Sequence, residues 1–195
     1  IDLHPSHISC YALTIEEGTR FHRELERGKL AANDLTVETA MQDEATAYLS
    51  SSGYQQYEIS NFAQTGFECQ HNLRYWSGLD YLGLGPSSQS YMANVRFGNV
   101  ADLSVYTNSL DSHQLPIDSI DFLTRKEAAR EEVVFGLRKN SGVPIHSLEL
   151  LEEDDQWNVA VEKMVSSGLL SQDQYSLKVT AMGRQFMDTV SLQLL

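Results

Sequence analysis

The chain has 195 residues, of which 42% are hydrophobic and 21% are charged, a composition typical of a globular protein with a buried core. Its 14 basic and 27 acidic residues give a net charge of −13, which argues against nucleic-acid binding because phosphate backbones are bound by clustered Lys and Arg. No apolar run approaches the about 20 residues that cross a bilayer, so no stable membrane insertion is expected.

The first residues, IDLHPSHISCYAL, lack the basic segment and the cleavage site of a signal peptide. They enter a strand-like segment almost at once, as expected for a chain that begins partway through a fold. The two cysteines, Cys10 and Cys69, fit a reducing compartment better than a disulfide scaffold. A cytoplasmic location is therefore expected.

Strands and helices alternate in the first part of the chain. HISCYALT (residues 7–14) predicts a buried strand, and residues 19–28 predict a short helix that closes at Gly28. Asn33 or Asp34 caps a longer helix to about Ser52, and YQQYEIS (residues 54–60) returns as a strand. This order predicts that the two strands are parallel neighbours in a right-handed βαβ unit.

The second part of the chain begins with residues 71–90, which are too irregular for a helix and too rich in glycine for a plain strand. NVADLSVYTNSL predicts a helix, and the character of the sequence changes around Pro116. Thr124 and Glu127 form a capping box that opens a helix to Gly142. A further helix closes at Gly168, a short strand YSLKV follows, and Thr180 caps the last helix. This order is typical of a winged-helix-like module.

Two groups of polar residues stand at the ends of the predicted strands. Glu16, Glu17 and Gly18 follow the first strand, where they form either a ligand-binding edge or a solvated turn. Glu58 and Ser60 share one face of the second strand, and this polar face favours a ligand over an edge strand with one wet side.

The stretch HNLRYWSGLDYLGLGPSSQS (residues 71–90) holds the other candidates. His71 or Cys69 could bind a metal, and a flat macrocycle could stack on Tyr75 or Trp76, although a loop histidine more often only forms hydrogen bonds. The glycines of YLGLGP and the serines that follow predict a loop that faces a ligand. The pattern is neither G-x-G-x-x-G nor a P-loop, so nucleotide binding is not predicted.

The segments HISCYALTIEEGTRF, GYQQYEISNFA, HNLRYW and YLGLGP, followed by VTAMGRQFM near the end, resemble the HemN/HemW family over nearly the whole chain. That family comprises radical S-adenosylmethionine (SAM) proteins, namely oxygen-independent coproporphyrinogen III oxidases and the related heme chaperones of the HemW branch. HNLRYW fits the H-N-x-x-Y-W motif that is associated with heme binding in the HemW branch. The chain is therefore more similar to that branch than to the oxidases.

The resemblance implies an α/β fold that comprises the C-terminal part of a partial (β/α)6 radical SAM barrel and a mostly helical, winged-helix-like C-terminal domain. The implied domains are residues 1–115, with the barrel elements and the Gly-rich loop, and residues 116–195, the helical domain. The complete protein is expected to hold a 4Fe–4S cluster and SAM. The cluster motif, of the C-x-x-x-C-x-x-C type, is not formed by Cys10 and Cys69, so no cluster ligand is expected in this chain.

The resemblance also implies site residues. Thr14 and Gln89 match positions that line the SAM pocket in the oxidases, with the Gly-rich stretch lying across the barrel mouth beside SAM and the tetrapyrrole. Relatives of the HemW branch commonly carry GPGAHS where this chain has GPSSQS, so Gln89 stands at the position of their histidine. The implied heme-binding residues are His71, Asn72, Tyr75 and Trp76, with His71 as the axial ligand of the heme iron.

Three functions follow from the resemblance. The first is heme binding and delivery, with heme or a porphyrinogen and heme-receiving proteins as partners. The second is oxidative decarboxylation of coproporphyrinogen III by a SAM-derived radical in the complete protein. The third is a non-catalytic heme-binding module. No catalytic residue is assigned within this chain.

Overall fold

The computed structural model describes residues 1–31 and 34–195, which form two compact units, residues 1–69 and residues 70–195. Both units combine helices with short strands, in agreement with the α/β class. Within the described residues, every helix is too short or too polar to cross a membrane. The predicted domain boundary after residue 115 falls inside the second unit and stays a prediction about the domains of the complete protein.

The first unit contains a small antiparallel sheet. Its elements are β1 (His7–Ser9), α1 (Arg20–Glu26), α2 (Leu35–Ser51), β2 (Gln55–Gln56) and β3 (Asn61–Ala63). The strand order is β1-β3-β2, and both outer strands are antiparallel to β3. The prediction that the strands at 7–14 and 54–60 are parallel neighbours is therefore wrong, because β3 lies between β1 and β2.

The predicted strand at 54–60 is a hairpin. Glu58 is buried, and its carboxylate accepts hydrogen bonds from the Ser60 amide, at 2.9 Å, and from the Asn61 side chain. These local bonds reverse the chain after β2, since a side-chain acceptor two or three residues back stabilises a turn. The expected polar strand face formed by Glu58 and Ser60 is thus a turn, and Glu58 is occupied in holding it.

The predicted strand at 7–14 is shorter than expected. β1 pairs with β3 over three residues, and the ladder ends where Cys10 N donates to Ser60 O at 2.8 Å. Residues 11–14 lie outside the sheet and are exposed. A strand needs a partner for its backbone groups, and β3 is too short to extend the pairing.

The helices of the first unit begin and end as the sequence indicates. Asp34 caps α2 by accepting from Thr36 N at 2.7 Å, while the alternative cap, Asn33, lies outside the described residues. Gly28 has a φ of +66° just after α1. Leu49 of α2 packs with Tyr54 and Phe62 in the core of this unit.

The second unit contains two further three-stranded sheets and most of the helices. Its elements are α3 (Gln70–Trp76), β4 (Gln89–Met92), β5 (Val95–Asn99), α4 (Leu103–Asp111), β6 (Ile117–Phe122), α5 (Arg125–Gly136), β7 (Val143–Pro144), a 3-10 helix (Ile145–Leu151), α6 (Asp155–Ser166), β8 (Leu170–Gln172), β9 (Ser176–Val179), α7 (Ala181–Gln185) and α8 (Met187–Leu194). The sheets have the antiparallel orders β4-β5-β6 and β7-β9-β8.

Two helices differ from their predictions. The start of the 71–90 stretch, expected to be non-helical, forms α3, because the helix-breaking glycines begin only at Gly78 with its φ of +61°. The helix that opens with the Thr124–Glu127 capping box ends at Gly136 rather than Gly142. A Cβ on Gly136 would lie 2.6 Å from a Val143 methyl, so the lack of a side chain at Gly136 lets β7 pack against the end of α5.

The C-terminal elements share one apolar core. Trp157, Val161 and Met164 of α6 are buried on one face, as the sequence predicts, together with residues of α5, the 3-10 helix, the β7-β9-β8 sheet and α8. Thr180 caps α7 by accepting from Gly183 N at 3.0 Å. The expectation of a winged-helix-like module for this region stays a prediction.

Candidate functional site

The short helix α3 carries the four predicted heme-binding residues. His71 is exposed, and its ring lies edge-on to Tyr75, with 4.7 Å between the ring centroids, as expected for residues one helical turn apart. Asn72 is half-buried on the same helix. The His71 imidazole is therefore open to a ligand that approaches from solvent.

The end of α3 brings its last two aromatic residues, Tyr75 and Trp76, to the wall of a pocket. Leu79 N donates to Arg74 O at 3.2 Å, and the Arg74 side chain donates to Asp80 O at 2.7 Å. These bonds fold the chain back after Trp76. As a result, Tyr75 and Trp76 line a pocket of about 640 Å³ in the second unit, whereas His71 and Asn72 do not line it.

We name this cavity the aromatic pocket, because its walls carry the rings of Tyr75, Trp76, Tyr81, Tyr91 and Phe135. Tyr75 and Tyr81 have ring centroids 4.4 Å apart, and Tyr81 and Tyr91 follow at 6.3 Å. Tyr81 and Tyr91 also pair through two backbone hydrogen bonds of 2.8 and 2.9 Å. The three tyrosines thus form one continuous wall.

Residues of α5 also line the pocket. Phe135 lies against Trp76, with 6.4 Å between the ring centroids, and the Arg138 guanidinium carbon lies 4.7 Å from the centre of the Trp76 ring. Among the described residues, the buried Trp76 Nε1 has no hydrogen-bond partner. Trp76 is therefore fixed by ring contacts rather than by its polar atom.

Charged side chains complete the pocket. Arg96 of β5 forms an ion pair with Glu131 of α5, and Asp80, Arg125 and Glu132 also line the cavity. Burial raises the pKa of both Tyr81 and Tyr91 above that of an ordinary tyrosine, which is already neutral at neutral pH. The pocket therefore offers neutral aromatic faces beside partly compensated charges.

The Gly-rich loop packs closely against its own backbone. A Cβ on Gly83 would lie 2.3 Å from the Gln89 carbonyl oxygen, so the group that passes close to this glycine is the start of β4. Ser90 accepts from Gly83 N at 3.0 Å, and Ser88 donates to Gly85 O at 2.7 Å. The prediction that these serines serve a ligand stays untested, but both hydroxyls are engaged in the loop itself.

The two predicted SAM-binding residues lie in different units. Thr14 is exposed in the first unit, and Gln89 is exposed on β4 in the second. Gln89 is paired with Gly98 of β5, where an added Cβ would lie 2.5 Å from the Gln89 amide nitrogen and 2.8 Å from Ser119 Oγ. Because Gly98 has no side chain, the Gln89 side-chain amide can lie over it.

The remaining candidates near the first strand form a turn. Glu17 and Gly18 lie in a turn, Gly18 has a φ of +77°, and Glu16 O accepts from Thr19 Oγ1, the N-cap of α1, at 2.7 Å. The three residues are exposed. The local structure therefore matches the solvated-turn interpretation of Glu16, Glu17 and Gly18.

No cluster-like set of ligands is found in the part of the chain that the structure describes. Within residues 1–31 and 34–195, no three His, Cys, Asp or Glu side chains are grouped so as to hold a metal ion. Cys10 and Cys69 are free, partly buried thiols. The residues of this chain therefore do not fit a 4Fe–4S cluster.

Sequence reasoning missed several residues of the pocket. Tyr81 and Tyr91 flank the Gly-rich loop at the two ends of a backbone bridge, and their spacing of ten residues gives no helical or strand pattern. Arg96 and Phe135 come from β5 and α5, so only the tertiary packing brings them to Tyr75 and Trp76. A search for aromatic residues around the loop would have found the tyrosines but not their partners.

Comparisons with known proteins identify the family. The model of the HemN C-terminal domain matches residues 123–186. The heme chaperone HemW of Mycobacterium tuberculosis is 34% identical over 189 residues, which cover 97% of this chain and 47% of that protein. HemW of Bacillus subtilis is 34% identical over 143 residues, covering 73% of this chain and 38% of that protein. A mitochondrial radical S-adenosyl methionine domain-containing protein of Mus musculus is 30% identical over 203 residues, covering 97% and 46%.

Among solved structures, the coproporphyrinogen III oxidase HemN from Escherichia coli, a radical SAM enzyme, has a TM-score of 0.74 and 20% identity to the chain. The match covers 99% of this chain and 48% of that one, and it establishes the fold. The chain spans about half the length of the curated relatives it matches. The sequence resemblance is thereby confirmed, and the chain belongs to the HemN/HemW family, whose C-terminal part it represents.

Proposed function

We propose that this chain is the heme-binding part of a HemW-like protein that binds heme and delivers it to heme-receiving proteins in the cytoplasm. The observation that carries the proposal is the exposed His71 imidazole, held one helical turn from Tyr75 within the sequence HNLRYW. Relatives at 34% identity are named heme chaperones. Their name supports the same ligand for this chain.

The chemistry of α3 suits heme iron. A neutral imidazole is a common axial ligand of heme, and the His71 ring is accessible to a large, flat ligand because it is exposed at the start of a short helix. The Tyr75 ring beside it adds an aromatic surface for the macrocycle. Tyr75 and Trp76 both line the aromatic pocket, but of the two only Tyr75 also has a ring contact with His71, so the predicted contact of Trp76 with heme has less support.

The proposal also includes the cofactors of the complete protein, without assigning their chemistry to particular residues. We expect a 4Fe–4S cluster and SAM there, because a mammalian relative is named for its radical SAM domain. In this chain, Thr14 and Gln89 are the proposed SAM contacts, and their exposed side chains are compatible with that role. No step of radical chemistry is assigned to residues of this chain.

A hemin titration of the purified chain tests the proposal. We expect wild type and Cys69→Ala to shift the Soret band to the same extent, and His71→Ala to lose the shift. His146→Ala is the matched control, since His146 is an exposed histidine of the 3-10 helix in the same unit. It should bind hemin as wild type does.

An unchanged spectrum and affinity in His71→Ala, with the fold intact by circular dichroism, would exclude His71 as the ligand. Loss of the shift in Cys69→Ala alone would assign the iron to the thiolate, the rival ligand two residues away. Single-turnover analysis of coproporphyrinogen III with the complete protein separates the oxidase alternative, because a chaperone leaves the propionate side chains intact.

A further inference from the structure

We propose that the aromatic pocket binds a small organic cation, such as an alkylammonium compound, at a site distinct from His71. The pocket has about 640 Å³ and lies within the second unit, and His71 does not line it. That volume is typical of small-molecule sites, which combine apolar walls with a few polar groups. The inference goes beyond heme binding and does not rest on it.

The aromatic wall is the first argument. Tyr75, Tyr81 and Tyr91 present a continuous row of rings, with centroids 4.4 and 6.3 Å apart. The face of a neutral aromatic ring carries partial negative charge and attracts cations, most strongly where water is partly excluded. Tyrosine is neutral at neutral pH, and burial raises the pKa of Tyr81 and Tyr91 in the same direction.

The charge of the pocket is the second argument. The positive charge of Arg96 is compensated by its ion pair with Glu131. The other charged lining residues are the acidic Asp80 and Glu132 and the basic Arg125, so the lining carries one more negative than positive charge. The pKa of Tyr91 agrees with a small excess of negative charge: after burial, the carboxylates of Glu131, Asp80 and Glu132 raise it, whereas the Arg96 guanidinium lowers it. A cation is stabilised by such an excess, whereas an anion of the same size is repelled.

Choline and its uncharged isostere 3,3-dimethylbutan-1-ol provide the test. The two probes have the same shape, so a difference in affinity reports the charge. We expect saturable choline binding by NMR or calorimetric titration, with a Kd of about 1 mM for so small a ligand. The isostere should bind about tenfold more weakly.

Two pairs of variants locate the site. Tyr81→Leu removes the central ring and should weaken choline binding about tenfold, whereas Tyr175→Leu, at a tyrosine that is 74% exposed and outside the pocket, should have no effect. Glu132→Gln removes one carboxylate and should weaken binding about threefold. Glu149→Gln, an exposed carboxylate that does not line the pocket, is its control.

Equal affinity for choline and its isostere would overturn the proposal, and so would unchanged choline binding in both Tyr81→Leu and Glu132→Gln. Because Glu132 is exposed, its substitution tests the site without risk to the core. Loss of hemin binding in His71→Ala with choline binding retained would separate the two sites. The converse result, in which Tyr81→Leu loses choline binding but retains hemin binding, would also show that the two sites are separate.

Discussion

At the scale of single residues, the clearest constraint in the chain is steric. Gly83 is close to the Gln89 carbonyl oxygen, a backbone atom that cannot move away without shifting β4, whereas Gly98 is close to the ends of the Gln89 and Ser119 side chains. At both positions, a Cβ would lie too close to a neighbouring atom unless that atom moved. They differ in whether the neighbouring group can move, because a side chain can rotate whereas the Gln89 carbonyl is part of β4.

This difference predicts the outcome of two alanine substitutions. Gly83→Ala should lower the free energy of unfolding of the second unit by about 1–3 kcal/mol, the usual cost of overpacking, because its Cβ would lie 2.3 Å from backbone. Gly98→Ala should cost less, since side chains can rotate. Urea unfolding followed by circular dichroism measures both. Equal losses, or a larger loss for Gly98→Ala, would contradict the steric argument.

The site residues illustrate what sequence can and cannot predict at this scale. His71, Tyr75 and Trp76 are visible as a motif, but the motif does not reveal that Tyr75 and Trp76 line a pocket from which His71 is absent. The sequence suggests that Glu58 is a strand residue facing a ligand. Its carboxylate instead accepts hydrogen bonds from Ser60 and Asn61, two and three residues along the chain. In both cases the contacts depend on where the backbone turns, and the alternation of polar and apolar residues does not predict that turn.

At the scale of elements, helix ends are the features that sequence predicts best. The capping box of Thr124 and Glu127 and the caps at Asp34 and Thr180 form as expected, because each depends on a side chain and an amide no more than three residues apart. Strand pairing depends on distant partners. The insertion of β3 between β1 and β2 was therefore not predictable from the order of strands and helices.

Asp154 joins two helices and gives a prediction with a pH dependence. It caps α6 by accepting from Trp157 N and forms ion pairs with Arg130 and with Lys126 of α5, the latter at 3.0 Å. The hydrogen bonds from Arg130 and Lys126 hold the pKa of Asp154 well below its usual range. A lowered pKa in the folded state stabilises the protein above about pH 4 and loses that effect as the pH falls further.

Asp154→Asn should therefore lower stability at pH 7 and flatten the loss of stability between about pH 4 and pH 2. The neighbouring substitution Asp155→Asn is the control, because Asp155 is exposed in the first turn of α6 and lacks both ion pairs. Thermal unfolding across this pH range measures the effect. If the two variants lose stability equally, and with the same pH dependence, Asp154 does not join α5 to α6 as proposed.

At the scale of the whole molecule, the family could be recognised from ordered sequence blocks, and the relatives and the fold confirm it. The chain matches about half of those proteins, so we propose activities that need the other half only for a complete protein and not for this chain. Cluster binding is the sharpest case. A 4Fe–4S cluster needs several converging thiolates, and this sequence contains two cysteines, Cys10 and Cys69.

Anaerobic reconstitution with iron and sulfide should accordingly leave the 195-residue chain without the broad visible absorption of a 4Fe–4S cluster. The complete protein, treated in parallel, is the control; we expect it to acquire that band, because the sequence resemblance implies a cluster motif outside the residues of this chain. Iron and sulfide analysis, together with electron paramagnetic resonance after reduction, distinguishes a cluster from adventitious iron. Within residues 1–31 and 34–195, no group of three metal-binding side chains is available to replace the missing thiolates. A stoichiometric 4Fe–4S signal from the chain alone would therefore contradict the assignment of radical SAM chemistry to the remainder of the complete protein.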